Sequence, residues 1–266
     1  MSLSVKYSMK KLILLLAVCA STSFAKPATK VEPSVVLFNN NTGHTLVSTN
    51  AEEVRPLASI TKLMTAIVAL DTGFALDRPV PLNKRWGGVL PVKSYTRREL
   101  FTAMLIRSDN SAAETLAGDY PGGREEFIIA MNYKAKDLGM VNTRFDDASG
   151  LLATNTTTAR DIQLLLAEAV KHDFIRELTT TSSTEIIIPY KKKQGKVVIN
   201  NTNSPLLGEF SSSTVLGKTG LTSRAGWCVA MVLEEHGQQF FVIVLGAKNK
   251  AERTSLVEKL VYNNLR

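Results

Sequence analysis

The hydrophobic positions of the chain change their period twice. Residues 35–38 and 45–48 are apolar-rich runs on either side of the turn-forming cluster 39–43, which predicts a β-hairpin. After Pro56 the apolar residues recur at helical spacing, at Ile60, Met64, Ile67 and Val68, until Gly73 supplies a stop. Further helices have legible starts. Thr96 with Glu99, and Ser111 with Glu114, have the capping-box spacing, in which each side chain takes up the other residue's free backbone N–H. Residues 123–138 place Ile128, Met131, Ala135 and Leu138 on one face with Gly139 past the end, and Thr158 with Asp161 opens a helix carrying Ile162, Leu165, Leu166 and Ala169. Strand-like patterning then returns. Residues 186–188 and 197–199 flank a lysine turn, and the strongly apolar runs 227–233 and 240–245 are joined by the polar stretch 234–239. Residues 251–265 close the chain as an amphipathic helix with Leu256, Val257, Leu260 and Val261 inward.

Strands at both ends of a stretch, 59–171, that is mostly helical predict an α/β fold of the α+β kind. Its antiparallel sheet is flanked by helices, and the two parts of the sheet are separated in sequence by a mostly α-helical inserted subdomain. No internal repeat or low-complexity linker interrupts this plan.

Composition changes the picture mainly at the N-terminus. Lys6, Lys10 and Lys11 precede an apolar run at 12–20 and then Ser23-Phe24-Ala25, the layout of a secretory signal peptide cleaved after Ala25. The run is far shorter than the roughly 20 residues needed to span a bilayer, so no integral membrane segment is expected in the mature chain. The expected product is a secreted, periplasmic protein of about 240 residues, a single domain over 26–266. Lipidation at Cys19 is the alternative, disfavoured because Val18 fits poorly before it. Cleavage leaves Cys228 as the one thiol, so no internal disulfide can form. It also lowers the formal charge from +8 to +5, a surplus suited to an anionic polymer or membrane surface. No concentrated Lys/Arg stripe with interleaved aromatics points to nucleic acid. The only basic run, Lys191-Lys192-Lys193, reads as a solvated turn.

The candidate chemistry rests on three short motifs. Ser59-Ile60-Thr61-Lys62 puts a serine at a helix start with a lysine one turn later, within reach of its hydroxyl. A free serine is a weak nucleophile and needs an adjacent base, and a lysine serves only if burial or a second cation lowers its pKa. Alone the pattern is weak, since a chain this long carries one about once by accident. Ser108-Asp109-Asn110 between two capped helices and Lys218-Thr219-Gly220 opening a strand change that weighting, because the three together, in this order, are the set found in penicillin-binding proteins and class A β-lactamases. His44, His172 and His236 have no metal-ligand spacing, and no phosphate-binding glycine loop or zinc motif is present, so no metal or cofactor is expected. Trp86 and Trp227 read as packing residues, with Trp86 beside Gly87-Gly88 a second possibility for the cleft border.

Beyond these motifs the chain resembles the low-molecular-mass penicillin-binding proteins, the D-alanyl-D-alanine carboxypeptidase and endopeptidase family. The likeness runs from about Val35 to the C-terminus through residues 57–65, Met131-Asn132, Leu138-Gly139-Met140, Ser149-Gly150-Leu151, Thr158-Ala159-Arg160-Asp161, Asn201-Thr202-Asn203, residues 218–222, Ala225-Gly226 and Cys228. It implies a penicillin-binding/β-lactamase-like transpeptidase fold and a D,D-peptidase acting on peptidoglycan stem peptides and cross-links, with β-lactam antibiotics as covalent inhibitors. By the same resemblance Ser59 attacks the penultimate D-alanine carbonyl, Lys62 takes its proton, and the backbone N–H groups of Ser59 and Leu221 hold the oxyanion. Lys218 keeps Lys62 deprotonated by like-charge repulsion, Ser108 and Asn110 complete the proton relay and bind the substrate backbone, and Asp109 is structural. Thr219, Gly220 and Leu221 line the substrate strand, with Thr219 at the terminal carboxyl or amide.

The chain departs from many relatives in having Thr202 where an arginine stands between the two asparagines. Arg253 either supplies the missing cation or is a surface residue at a helix start. A β-lactamase would need an E-x-x-L-N loop, and neither Glu168, Glu177 nor Glu185 is followed by Leu-Asn. A non-catalytic peptidoglycan-binding protein is opposed by the intact set of motif residues. Within the family, Tyr120-Pro121-Gly122-Gly123 resembles the endopeptidase branch, and the chain ends about fifty residues after Lys218, short of a further domain and membrane anchor. Together with Thr202 these features favour cross-link cleavage over removal of a terminal D-alanine, with the carboxypeptidase as the alternative.

Overall fold

The apolar runs near the C-terminus form the centre of the molecule. The computed structural model describes residues 32–190 and 193–266. The expected export segment with Cys19, and the expected turn at Lys191 and Lys192, lie outside the described residues. In chain order the first elements are β1 (Ser34–Asn39), β2 (His44–Thr49), β3 (Arg55–Pro56), a 3-10 turn at Ala58–Ile60, α1 (Thr61–Asp71), β4 (Pro79–Pro81) and β5 (Ser94–Thr96). The helical stretch follows as α2 (Arg97–Ile106), α3 (Asn110–Gly118) and α4 (Gly123–Asp137), then β6 (Thr156–Thr157), α5 (Ala159–Ala169) and α6 (Asp173–Thr180). The chain closes through β7 (Ser183–Tyr190), β8 (Lys193–Asn200), α7 (Ser204–Glu209), β9 (Thr214–Thr222), β10 (Gly226–Glu235), β11 (Gln238–Ala247) and α8 (Lys250–Asn264).

The main sheet has the order β2-β1-β11-β10-β9, with antiparallel neighbours throughout. The N-terminal hairpin joins the C-terminal strands through β1, with Val36 opposite Ile243. Both faces of the central strands are covered. Val229, Met231, Val242 and Val244 pack with Val257 and Val261 of α8, whereas Ala230, Val232, Phe241 and Ile243 pack toward the helical side. A strand buried on both faces has no polar side to alternate with, which is why β10 and β11 read as unbroken apolar runs. Each buried valine, isoleucine, methionine or phenylalanine side chain among them contributes roughly 1.5–3 kcal/mol.

Two expectations are corrected. The capping box at Ser111 and Glu114 does not form, because Asp109 caps α3 two residues earlier by accepting from Ala112 N at 2.9 Å. Ser111 is buried in the first turn, and Glu114 bonds Arg124 and Ala148 N instead. Lys218 does not open a strand but sits in the middle of β9, which starts at Thr214. The short helices α6 and α7 lie beyond the helical stretch read from the sequence, although Phe174, Ile175 and Leu178 give α6 an apolar face and Pro205 in the first turn of α7 marks its start. The box at Thr96 and Glu99 is complete, and Thr158 accepts from Asp161 N at 3.0 Å as the cap of α5.

Candidate active site

Ser59 is carried by the 3-10 turn that runs into α1, one step before the α-helix proper. The turn is entered through Ala58 at φ +47°, a left-handed conformation that costs an alanine about 1–2 kcal/mol. What holds it there is close packing from two loops. A Cβ on Gly150 would lie 1.9 Å from Ala58 O, and one on Gly220 would meet Leu57 O, Ala58 Cβ and Ser59 N at 3.0–3.1 Å. Both positions therefore need glycine. Lys62 follows in the first turn of α1 and is buried, with Nζ at 2.9 Å from Ser59 Oγ, 2.8 Å from Asn110 Oδ1 and 2.6 Å from Ser149 O.

The second motif occupies the sharp joint between α2 and α3. Ser108 is left-handed at φ +64°, and such strain persists only where the surroundings enforce it. Asp109 does the enforcing. Besides capping α3 its carboxylate accepts from Val89 N at 2.6 Å and Leu90 N at 3.4 Å, tying the 84–92 segment to the joint. Ser108 Oγ accepts from Lys218 Nζ at 2.9 Å, so the second and third motifs meet directly.

The third motif lies on the free edge of the sheet. Lys218 is buried on β9 and also donates to Thr219 O at 3.1 Å. Ser59, Ser108, Asn110, Thr219, Gly220, Leu221 and Arg253 all line one cleft of about 330 Å³. Lys62 and Lys218 stand behind its wall. Leu221 is 50% exposed. Thr202 is here too, with Oγ1 at 2.8 Å from Thr219 Oγ1, and Trp227 forms part of the lining.

Arg253 is not a surface residue. It is 2% exposed, 5.6 Å from the centre of the Trp227 ring, and its Nε and Nη2 find no hydrogen-bond partner among the described residues. Trp86, by contrast, is not part of the cleft lining, and its ring is within 6 Å of the guanidinium groups of Arg85 and Arg124.

Burial lowers the Lys62 amine to about 7, against the pull of Asp147, Asp109 and Glu114, which favour its charged form. Lys218 is also pushed well down, by burial first and by the neighbouring Lys62 second. Desolvation is thus the leading cause of the lowered Lys62 amine, and the two buried lysines also disfavour each other's charge.

Two elements of the site had little sequence signal. The 147–152 loop supplies the Ser149 carbonyl on Lys62, and its shape comes from Asp147, whose carboxylate accepts from the N–H groups of Ser149, Gly150 and Leu152. Glu114, buried and paired with Arg124 at 2.6 Å, fixes the approach to that loop through Ala148 N. An aspartate two to three residues before Ser-Gly is a common turn arrangement and does not by itself announce a site.

A hydroxyl bonded to a buried neutral-leaning amine, beside a serine–asparagine joint and a lysine-bearing strand edge, defines a serine acyl-transfer peptidase of the penicillin-binding class. Comparison with known proteins agrees and narrows it. Residues 21–249 match the model of the peptidase S11 family, D-alanyl-D-alanine carboxypeptidase, and the chain belongs to that family. The D-alanyl-D-alanine endopeptidase of Pseudomonas aeruginosa is 36% identical over 82% of this chain and 72% of its own length. That of Escherichia coli is 34% identical over 92% and 84%. Among solved structures, the Streptomyces K15 DD-transpeptidase superposes with a TM-score of 0.80 at 28% identity, covering 86% of this chain and 95% of its own. Penicillin-binding protein D2 from Listeria monocytogenes in its ampicillin-bound form gives 0.76 at 30% identity, covering 88% and 97%.

Proposed function

We propose that this protein is a D,D-endopeptidase that cuts D-alanyl cross-links in peptidoglycan through an acyl-enzyme on Ser59. The observation that carries the reading is the Lys62 amine, buried, brought to about 7 and 2.9 Å from Ser59 Oγ. Neutral Lys62 takes the Ser59 proton as Oγ bonds to the D-alanyl carbonyl carbon, and the carbonyl π electrons move onto oxygen. The N–H groups of Ser59 and Leu221 hold that oxyanion, where each fixed donor is typically worth about 3 kcal/mol. On collapse the C–N bond breaks and the leaving amine takes the proton from Lys62, with Ser108 and Asn110 as the relay. Water then attacks the ester by the reverse sequence and frees Ser59.

The substrate lies along the free edge of β9 at Thr219, Gly220 and Leu221. Lys218 holds Ser108, and Arg253 meets an anionic or carbonyl group beyond the cut through the N–H groups that have no partner among the described residues. On this reading residues 1–25 direct export, 26–266 form one catalytic domain with the helical part at 59–171, and the enzyme works in the periplasm. The endopeptidase names of the Pseudomonas and Escherichia relatives, together with Thr202 beside Thr219, favour a substrate that continues past the cut.

The test has two parts. Intact-mass analysis after penicillin treatment is expected to show one drug added on the peptide that contains Ser59, and none in Ser59→Ala. Given cross-linked dimers and pentapeptide monomers, the enzyme is expected to consume the dimers faster. Release of D-alanine from monomers with dimers left intact would make it a carboxypeptidase.

A further inference from the structure

Lys62 has three partners, and their geometry says more than that it is close to Ser59. A neutral amine has two N–H donors and one lone pair. Asn110 Oδ1 at 2.8 Å and Ser149 O at 2.6 Å are acceptors only, so they take the two donors. The lone pair is left for the third partner, the Ser59 hydroxyl at 2.9 Å. Loss of either acceptor frees the amine to rotate, and the lone pair is then no longer held toward Oγ.

The Ser149 carbonyl is itself held from behind. Its peptide group continues as Gly150 N–H, which donates to Asp147 Oδ1 at 2.5 Å. A buried carboxylate, one peptide group and the amine therefore form a single hydrogen-bonded chain, in which the carboxylate pulls on the N–H and makes the carbonyl at the other end a stronger acceptor. Asp147 is fully buried, and its hydrogen bonds come from the neutral N–H groups of Ser149, Gly150 and Leu152 and from Asn155 Nδ2.

We propose that Asp147 is a positioning residue for the acylation step, acting through the Ser149–Gly150 peptide group to aim the Lys62 lone pair at Ser59. The proposal rests on Lys62 being the base for Ser59. Three carboxylates and one further lysine side chain act on Lys62: Asp147, Asp109, Glu114 and Lys218. Asp109 and Glu114 are engaged elsewhere, on the backbone of the 84–92 segment and on Arg124. Asp147 is the acid joined to the amine through a peptide group, and its charge favours protonated Lys62.

The experiment compares wild type with Asp147→Asn, an isosteric change that keeps an acceptor and removes the charge. The second-order rate of acylation by a fluorescent penicillin is followed from pH 5 to 9, with thermal unfolding measured beside it. The variant is expected to acylate roughly tenfold to hundredfold more slowly, the scale set by a misdirected reacting group. Its acidic limb is expected to move to lower pH, because a charge that stabilised the ammonium form is gone. A purely structural role would lower the unfolding temperature and leave the shape of the pH profile as it was.

Should Asp147→Asn fail to fold, the backbone N–H of Gly150 is replaced by an ester oxygen through incorporation of glycolic acid, which leaves every side chain in place and cuts the same chain. Either folded variant acylating at the wild-type rate with the wild-type pH profile overturns the proposal. If wild-type Ser59 is not labelled at all, the reading of the site itself has failed, which is a separate result.

Discussion

On the helical wall of the cleft Lys62 sits within reach of three acids, Asp147, Asp109 and Glu114. On the sheet wall Lys218 bonds the neutral oxygens of Ser108 and Thr219, and Arg253 lies over Trp227 with two nitrogens unpartnered among the described residues. The difference separates two tasks. A proton acceptor must have a pKa near the working pH, and burial alone drives a lysine down without limit to its direction, so acids are needed to bring it back to about 7. A group that receives an anion needs N–H donors that nothing inside the protein has already used. On the proposed function the helical wall serves proton transfer and the sheet wall holds the substrate.

The comparison breaks most sharply at Lys62. In Lys62→Arg a guanidinium that stays protonated replaces the base, and acylation by penicillin is expected to fall by about 10²–10⁴-fold, the usual worth of a positioned base. Stopped-flow labelling checks it, and retention of the rate would move proton transfer away from the helical wall. Wild-type acylation is expected to rise through pH of about 7 as Lys62 loses its proton.

Arg253→Gln sharpens the other side. If Arg253 receives the substrate as proposed, its removal is expected to weaken turnover of cross-linked substrate by about 10- to 100-fold, the scale of one or two charge-assisted hydrogen bonds. The loss should appear mainly in KM, with the pH profile unchanged, because Arg253 does not touch Lys62. An unchanged KM would remove Arg253 from the substrate site.

The smallest expected effect is on stability. Lys62 is protonated in the unfolded chain up to its ordinary 10.5, whereas the folded chain gives up that proton near 7. Between those values the unfolded state binds more protons, so wild-type stability rises with pH across this window through this group. Lys62→Met removes the burden. It is expected to unfold a few degrees higher at pH 7, with part of the gain offset by the three lost contacts, since roughly 1 kcal/mol moves a domain of this size by about 2–4 °C. The gap to wild type should narrow as pH is raised toward 10.5. A gap that stays constant over that range would mean that Lys62 is charged in the folded protein.

Much of this was determined within short stretches of sequence. The apolar runs of β10 and β11, the caps Thr96 and Thr158, and the three motifs act over a few residues, through period, capping and spacing, and can be read without a partner. The α+β plan followed from them because strands at both chain ends must bury against one another. What only the tertiary structure decided is the state of the charged groups and the identity of their neighbours. Lys62 meets Ser149 across 87 positions and Lys218 meets Ser108 across 110, distances over which no local pattern carries information. Asp109 displaced Ser111 as the cap of α3 because its carboxylate also serves a distant loop. Arg253 sits at the start of a helix like many surface arginines, and its burial against Trp227 depends on how α8 crosses the sheet. Burial, which lowers the amine of one lysine and leaves two nitrogens of one arginine without a partner among the described residues, is a property of the packed molecule and not of any residue in it.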